Sequence, residues 1–131
     1  MHSIPGLYVA EHPQYGRGVY TSVAIPQDSL IEICQVIPIP SYETSIIHKT
    51  ILHDYYFAWG EDRSACAIAL GFGSLYNHSA DANADFILDF NARTIEIICV
   101  RDIEAGEEIF INYHGEPSSS KATWFSQKKQ P

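Results

Sequence analysis

The chain has 131 residues, 46% of them hydrophobic, which suits one domain with a core of its own and argues against disorder. Sixteen acidic residues against eight basic ones give a formal net charge of −8. That balance works against a nucleic-acid ligand, whose phosphates need Lys and Arg, and favours a cationic partner such as a basic peptide, although acidic charge also serves solubility alone. No apolar run is long enough to span a bilayer, and MHSIPGLYVAEH lacks the basic and apolar segments of a secretory leader. The three cysteines have no CxxC spacing; they read as small buried hydrophobes in a reducing, intracellular setting.

In chain order, Leu7–Ala10 reads as a short strand, and HPQYGRGVY as a turn into a second strand over Gly18–Val23. The β-branched run Leu30–Ile37 predicts a buried strand that Pro38 and Pro40 end. Ser41–His53 is the single predicted helix, with Ser41 as its cap, Glu43 in the first turn, and Ile47 and Ile51 on one face. YYFAW and ACAIAL predict strands around the turn GEDRS. The glycines of LGFGSLYNHSADAN predict a loop. Ala84–Phe90 alternates, with Ala84, Phe86, Leu88 and Phe90 on one face and Asp85 and Asp89 on the other. A tight NAR connection leads to the strand TIEIICV, RDIEAGEE turns, and IFINY is the last strand. The chain beyond it reads as a polar, mobile tail apart from Trp124 and Phe125. An internal echo links AIPQDSLIEI and DIEAGEEIFI, each an Ile, a turn and an Ile-x-Ile strand, and predicts two similar corners in a mostly β body.

The chemistry-bearing residues gather around Asn77-His78-Ser79. This tripeptide formally matches a glycosylation acceptor, but without a leader the sugar machinery would not meet it. No HExxH or Cys/His spacing surrounds His78, so no metal is expected. GFGSLYN is not a nucleophile elbow, which argues against hydrolysis. YGRGVY has two glycines of a dinucleotide fingerprint and lacks the third; alone it reads as a turn that lets a backbone approach a ligand. Tyr113, at a strand end, reads by itself as half-buried core.

Taken together and in order, YGRGVY, SLYNHSADAN and GEEIFINY resemble the three diagnostic segments of the SET-domain protein-lysine methyltransferases, over the stretch from Gly6 to Tyr113. NHSADAN is similar to that family's Asn-His-Ser-x-x-Pro-Asn signature and RDIEAGEEIFINY to its closing segment. The brevity is similar to stand-alone bacterial or viral members. The chain departs from the pattern in three places. Ala82 stands for the signature Pro and Ala80 for a common Cys; Asp28 stands for the Gly usual in the first corner; and no Cys-rich zinc segment follows Tyr113.

The resemblance implies a β-clip-like fold of several small sheets with one short helix and a knot-like crossing where the Asn-His-Ser segment meets the last strand. Residues 1–116 would form the SET domain, and 117–131 a tail whose Trp124 serves as an aromatic lid over the cofactor. It implies transfer of a methyl group from S-adenosylmethionine to a lysine of a basic protein, histone-like or other. The alternative is a catalytically weak or inactive module that binds basic tails. Tyr113 matches the catalytic tyrosine; Tyr15, Arg17, Gly18, Asn77, His78 and Tyr113 match cofactor-binding positions. Tyr55, Tyr56 and Tyr76 are candidate walls of a lysine channel, as is Ile111, two residues before the key tyrosine. The expected partner is a basic protein or peptide, with no direct nucleic-acid contact and no membrane. The expected assembly is a monomer or homodimer, in the cytoplasm of a bacterium or in a nucleus where chromatin is the substrate.

Overall fold

The computed structural model describes residues 2–113. Along these residues run β1 (His2–Ser3), β2 (Leu7–His12), β3 (Gly16–Thr21) and β4 (Leu30–Ile39), then α1 (Ser41–His48) and a 3₁₀ turn (Ile51–Asp54). They are followed by β5 (Tyr56–Trp59), β6 (Ala65–Ala69), a second 3₁₀ turn (Gly73–Leu75), β7 (Asn77–His78), β8 (Ala84–Asp89), β9 (Thr94–Cys99) and β10 (Glu108–Ile111). The fold is mostly β, as expected. The strands form two curled sheets, one in the order β5-β6-β4-β9-β8 with β1 beside β4, the other in the order β2-β3-β10-β7. No helix among the described residues is long and apolar enough to cross a membrane.

The core lies where the sheets meet. Every residue of β9 is buried, and Ile95, Ile97, Leu88, Ile109 and Ile111 are at most 1% exposed. Burying an aliphatic side chain of this kind contributes roughly 1.5–3 kcal/mol. Ala84, Phe86 and Leu88 of β8 point inward as their alternation predicts, and Ile87 on the other face is buried as well. The three cysteines are free and buried, and burial pushes the Cys34 thiol well above its ordinary range and raises that of Cys99.

Three local expectations are corrected. Pro38 does not end β4, which runs on to Ile39. Beyond Gln35 the strand is paired with β6 and no longer with β9, so a missing N–H is tolerated there. The helix stops at His48, because the Thr50 hydroxyl accepts from the Leu52 N–H and starts a separate 3₁₀ turn. Its N-cap is Pro40, which makes no side-chain cap bond, and Ser41 is the first helical residue.

The two echoed corners pack against each other. Ile25 and Ile103 exchange reciprocal backbone hydrogen bonds of 2.8 and 2.9 Å, and both side chains are buried. Asp28 keeps the left-handed backbone (φ 74°) that a Gly would adopt freely, and its N–H donates to the Cys99 carbonyl.

Candidate functional site

The stretch predicted as a loop contains the two-residue strand β7, which pairs in parallel with β10: Asn77 lies opposite Phe110 and His78 opposite Ile111. Between them in sequence, β8 and β9 visit the other sheet, so the chain returns to lie beside a segment it left some thirty residues earlier. Asn83 fastens this return. Buried and 3% exposed, it donates from Nδ2 to the Glu108 carbonyl (2.9 Å) and accepts from the Phe110 N–H at Oδ1 (2.8 Å). Its neighbours Asp81 and Ala82 are gripped from outside by the Arg101 guanidinium, which donates to Asp81 Oδ1 (2.9 Å) and to the carbonyls of Asp81 (3.0 Å) and Ala82 (3.3 Å).

Beside the start of β3 and β7 there is a cavity of about 770 Å³, within the range of small-molecule sites. It is lined by Tyr15 from the turn before β3, by Gly16 and Arg17 at the start of β3, by Asn77 and His78 of β7, by Tyr113, and by His53 to Tyr56 from the 3₁₀ turn and the start of β5. Seven of the expected site residues therefore share one cavity: Tyr15, Arg17, Tyr55, Tyr56, Asn77, His78 and Tyr113.

Tyr113 is held at three points. Its N–H donates to His78 Nδ1 (2.9 Å), its ring tilts against the His78 ring at 5.5 Å, and its hydroxyl donates to the Tyr76 carbonyl. Burial of the hydroxyl end, then Tyr55, Asp54 and Glu108, push its pKa up to about 12. The phenol is thus a persistent hydrogen-bond donor at neutral pH and no base. Tyr15 stacks on the His12 ring (4.3 Å between centroids), and His48 Nδ1 meets the Tyr56 hydroxyl at 2.9 Å.

Gly18 does not line the cavity but shapes its floor. A Cβ there would lie 2.1 Å from Glu108 Oε2 and 2.6 Å from Asn77 Nδ2, so the space a side chain would fill already holds these two groups. Tyr76 and Ile111 are not walls. The Tyr76 ring is fully buried and its hydroxyl donates to the buried Glu32 carboxylate (2.8 Å); burial, and then that carboxylate, raise the phenol pKa well above its ordinary value. What Tyr76 gives the site is its backbone carbonyl. Ile111 is fully buried in the core beside Ile109, because period-two alternation turns both inward. Trp124 lies outside the described residues, as does the rest of the expected tail.

Sequence reasoning missed Glu108, His12, Asn83 and Arg101. Glu108 was findable: in Glu108–Ile111 the alternation that buries Ile109 and Ile111 puts Glu108 on the face of Phe110, where the His12 ring lies edge-on. For Arg101 there was no local signal, since its partners are twenty residues away.

These residues fall within a segment that known proteins share. A family model described as the SET domain matches residues 16–114. The chain is 31% identical over 108 residues to a Schizosaccharomyces pombe histone-lysine N-methyltransferase specific for lysine-37 of H3, covering 82% of this chain and 72% of that one. A solved Plasmodium falciparum structure, described as a candidate histone methyltransferase, superposes with a TM-score of 0.65 at 25% identity, over 88% of this chain and 97% of that one. The fold also recurs within the complex ctPRC2 (TM-score 0.70, 19% identity, 84% of this chain and 14% of that one). An active polycomb repressive complex 2 gives the same TM-score, identity and coverage of this chain, over 15% of its own. With that family model over most of the chain and a relative of this identity and coverage, the chain belongs to the SET-domain family of protein-lysine methyltransferases.

Proposed function

We propose that this chain transfers a methyl group from S-adenosylmethionine to a lysine side chain of a basic protein. One observation carries the reading: Tyr113, Asn77, His78, Tyr15 and Arg17, from three distant segments, converge on a single cavity of about 770 Å³. The cavity suits the donor chemically. Tyr15 and Tyr113 offer aromatic surface, Asn77 offers a polar amide, and the buried Glu108 carboxylate beneath them favours a cationic ligand. Tyr15, Arg17, Asn77, His78 and Tyr113 would hold the donor, whose sulfonium supplies an electrophilic methyl group when bound.

The protein's own part is to align and to dry. The Tyr113 hydroxyl, kept protonated and tethered to the Tyr76 carbonyl, has lone pairs free to accept from an incoming amine and so to fix its direction. Tyr55 and Tyr56, half-buried at the other side of the cavity, would pack the lysine stem and exclude water. Desolvation lowers a lysine pKa and favours the neutral amine that can attack. Alignment of a bound pair is worth roughly 7–11 kcal/mol of barrier. A net charge of −8 would steer a basic, histone-like segment to the site, and raised salt should then increase the apparent KM for such peptides.

The test is a labelled-methyl assay on mixed basic proteins, with Tyr113→Phe beside the wild type and calorimetry with S-adenosylhomocysteine. Turnover that falls at least a hundredfold in Tyr113→Phe, with nucleoside binding retained, supports the reading. Turnover unchanged by that substitution overturns the role given to the hydroxyl. Binding with no turnover by the wild type would leave the chain a module for basic tails.

A further inference from the structure

Beneath the cavity sits a carboxylate whose partners do not balance. Glu108 is 8% exposed. Its Oε2 accepts from Asn77 Nδ2 at 2.7 Å, while Oε1 is buried without a hydrogen-bond partner among the described residues. Buried carboxylate oxygens are seldom left this way, and the exceptions call for an explanation. His12 Nε2 lies 3.9 Å from Oε1, beyond hydrogen-bond distance. The state of that ring follows from its other nitrogen: His12 Nδ1 accepts from the N–H groups of Gln14 (2.9 Å) and Tyr15 (3.2 Å), so the neutral ring carries its proton on Nε2, toward Glu108. The Tyr20 hydroxyl faces the same carboxylate across the β3–β10 pair.

Glu108 also decides which way the Asn77 amide points. A carboxylate only accepts, so the amide must turn its NH₂ to Glu108, which sets its carbonyl oxygen, Oδ1, on the opposite arm of a residue that lines the cavity. Through His12 the same carboxylate backs the ring on which Tyr15 stacks, so one buried group stands behind two separate walls of the site. The absence of a side chain at Gly18 is what admits it.

We propose that Glu108 is a positioning residue, which fixes the Asn77 amide so that its Oδ1 acceptor meets the cationic amino group at the amino-acid end of the donor. The inference rests on the donor reading of the cavity. It predicts a selective defect: a ligand that bears the amino-acid end should feel the loss of Glu108, and one that lacks it should not. A residue that merely supports the fold would weaken both alike.

The experiment is calorimetry on the full chain with two nucleosides, S-adenosylhomocysteine, which keeps the amino-acid end, and 5′-methylthioadenosine, which lacks it. Glu108→Gln should weaken the first by about tenfold or more and the second by less than about twofold. Asn77→Ala should show the same selectivity, and the double variant should lose no more than Asn77→Ala alone. In turnover, Glu108→Gln should raise the donor KM and leave kcat nearly unchanged. Equal losses on the two nucleosides, or additive losses in the double variant, would overturn the proposal. Should Glu108→Gln fail to fold, the wild-type chain still decides: the Asn77 side-chain NH₂ should give one shifted, exchange-protected proton by NMR, and a freely exchanging amide sinks the idea. A wild type that binds neither nucleoside refutes the donor reading and this inference with it. A wild type that binds both, with Glu108→Gln indistinguishable from it, refutes the positioning role alone.

Discussion

Gly18→Ala places a single methyl group where the structure has no room for it. The new Cβ would stand 2.1 Å from Glu108 Oε2, 2.6 Å from Asn77 Nδ2 and 3.0 Å from Glu108 Cδ. Ordinary contact needs at least about 3.4 Å, so the carboxylate must retreat by more than about 1 Å, and its 2.7 Å bond to Asn77 breaks. A hydrogen bond to a charged group is worth about 1.5–3 kcal/mol. Replacing Gly by Ala recovers about 0.4–1 kcal/mol by restricting the unfolded chain. The net loss is therefore about 0.5–2.5 kcal/mol, a fall in Tm of about 2–10 °C for a domain of this size. Thermal unfolding should be read in two backgrounds. With Glu108→Ala already present the carboxylate is gone and only the Asn77 amide, 2.6 Å from the new Cβ, is left to move aside, so Gly18→Ala should cost clearly less than in the wild type. Gly106→Ala serves as the contrast: φ is +91° and nothing lies within 4 Å, so it should cost backbone strain yet leave nucleoside affinity alone. If Gly18→Ala cost the same with and without Glu108, the close packing of Gly18, Glu108 and Asn77 would not be the reason for glycine at this position.

Asn83→Ala removes both bonds that fasten β10, leaving the Glu108 carbonyl and the Phe110 N–H unpaired, and should lower the urea midpoint by the equivalent of about 2–5 kcal/mol with an unchanged m-value. Tyr113 should resist ionisation: difference titration at 295 nm against Tyr113→Phe should show its phenolate emerging near pH 12, and a step near pH 10 would contradict the burial of its hydroxyl. The sign follows from the folded pKa lying above the unfolded one: the contribution of the neutral phenol to stability is complete below about pH 10 and is lost as the pH rises toward 12. Tyr76→Phe leaves Glu32 Oε1 without its 2.8 Å donor in the core and should cost about 1–3 kcal/mol, seen as a lower Tm.

What was legible in the sequence was whatever periodicity or a fixed order of segments could carry. The alternation in Ala84–Phe90 gave the inward face of β8 correctly, and the ordered segments around Arg17, Asn77 and Tyr113 fell on one cavity. The Asn77–His78 strand stayed hidden, because two residues have no period and their partner, β10, lies over thirty residues away. Tyr76 was misplaced for a related reason. Aromatic character says that a ring wants a flat apolar neighbour, and both a core and a channel supply one. What settles the matter is Glu32, a buried carboxylate forty-four residues upstream that needs a donor. The helix was drawn too long because Ile47 and Ile51 share a spacing with a continuous helix, while the Thr50 hydroxyl bonds back to the Ile47 carbonyl and accepts from Leu52, starting a new turn.

The loop from Ala80 to Ala82 bears on how the site keeps its shape. A proline at Ala82 would stiffen the chain from within by fixing φ. Here the stiffness comes from outside: Arg101, in the turn after β9, spans to Asp81 and Ala82 with three hydrogen bonds, on the same loop whose next residue, Asn83, clamps β10. The exposed ion pair itself is worth little, since Asp81 is 91% exposed at its side chain and screened by solvent. Its two carbonyl contacts matter more, because they tie backbone to a guanidinium of fixed geometry. The two devices are not equivalent. A proline acts on the unfolded chain as well as the folded one, whereas the Arg101 clasp exists only once β9 and the loop are in place. Order in this loop is therefore a consequence of the β8–β9 pairing rather than a cause of it. The Asn83 clamp, and through it the setting of Glu108 beneath Asn77, inherits that dependence.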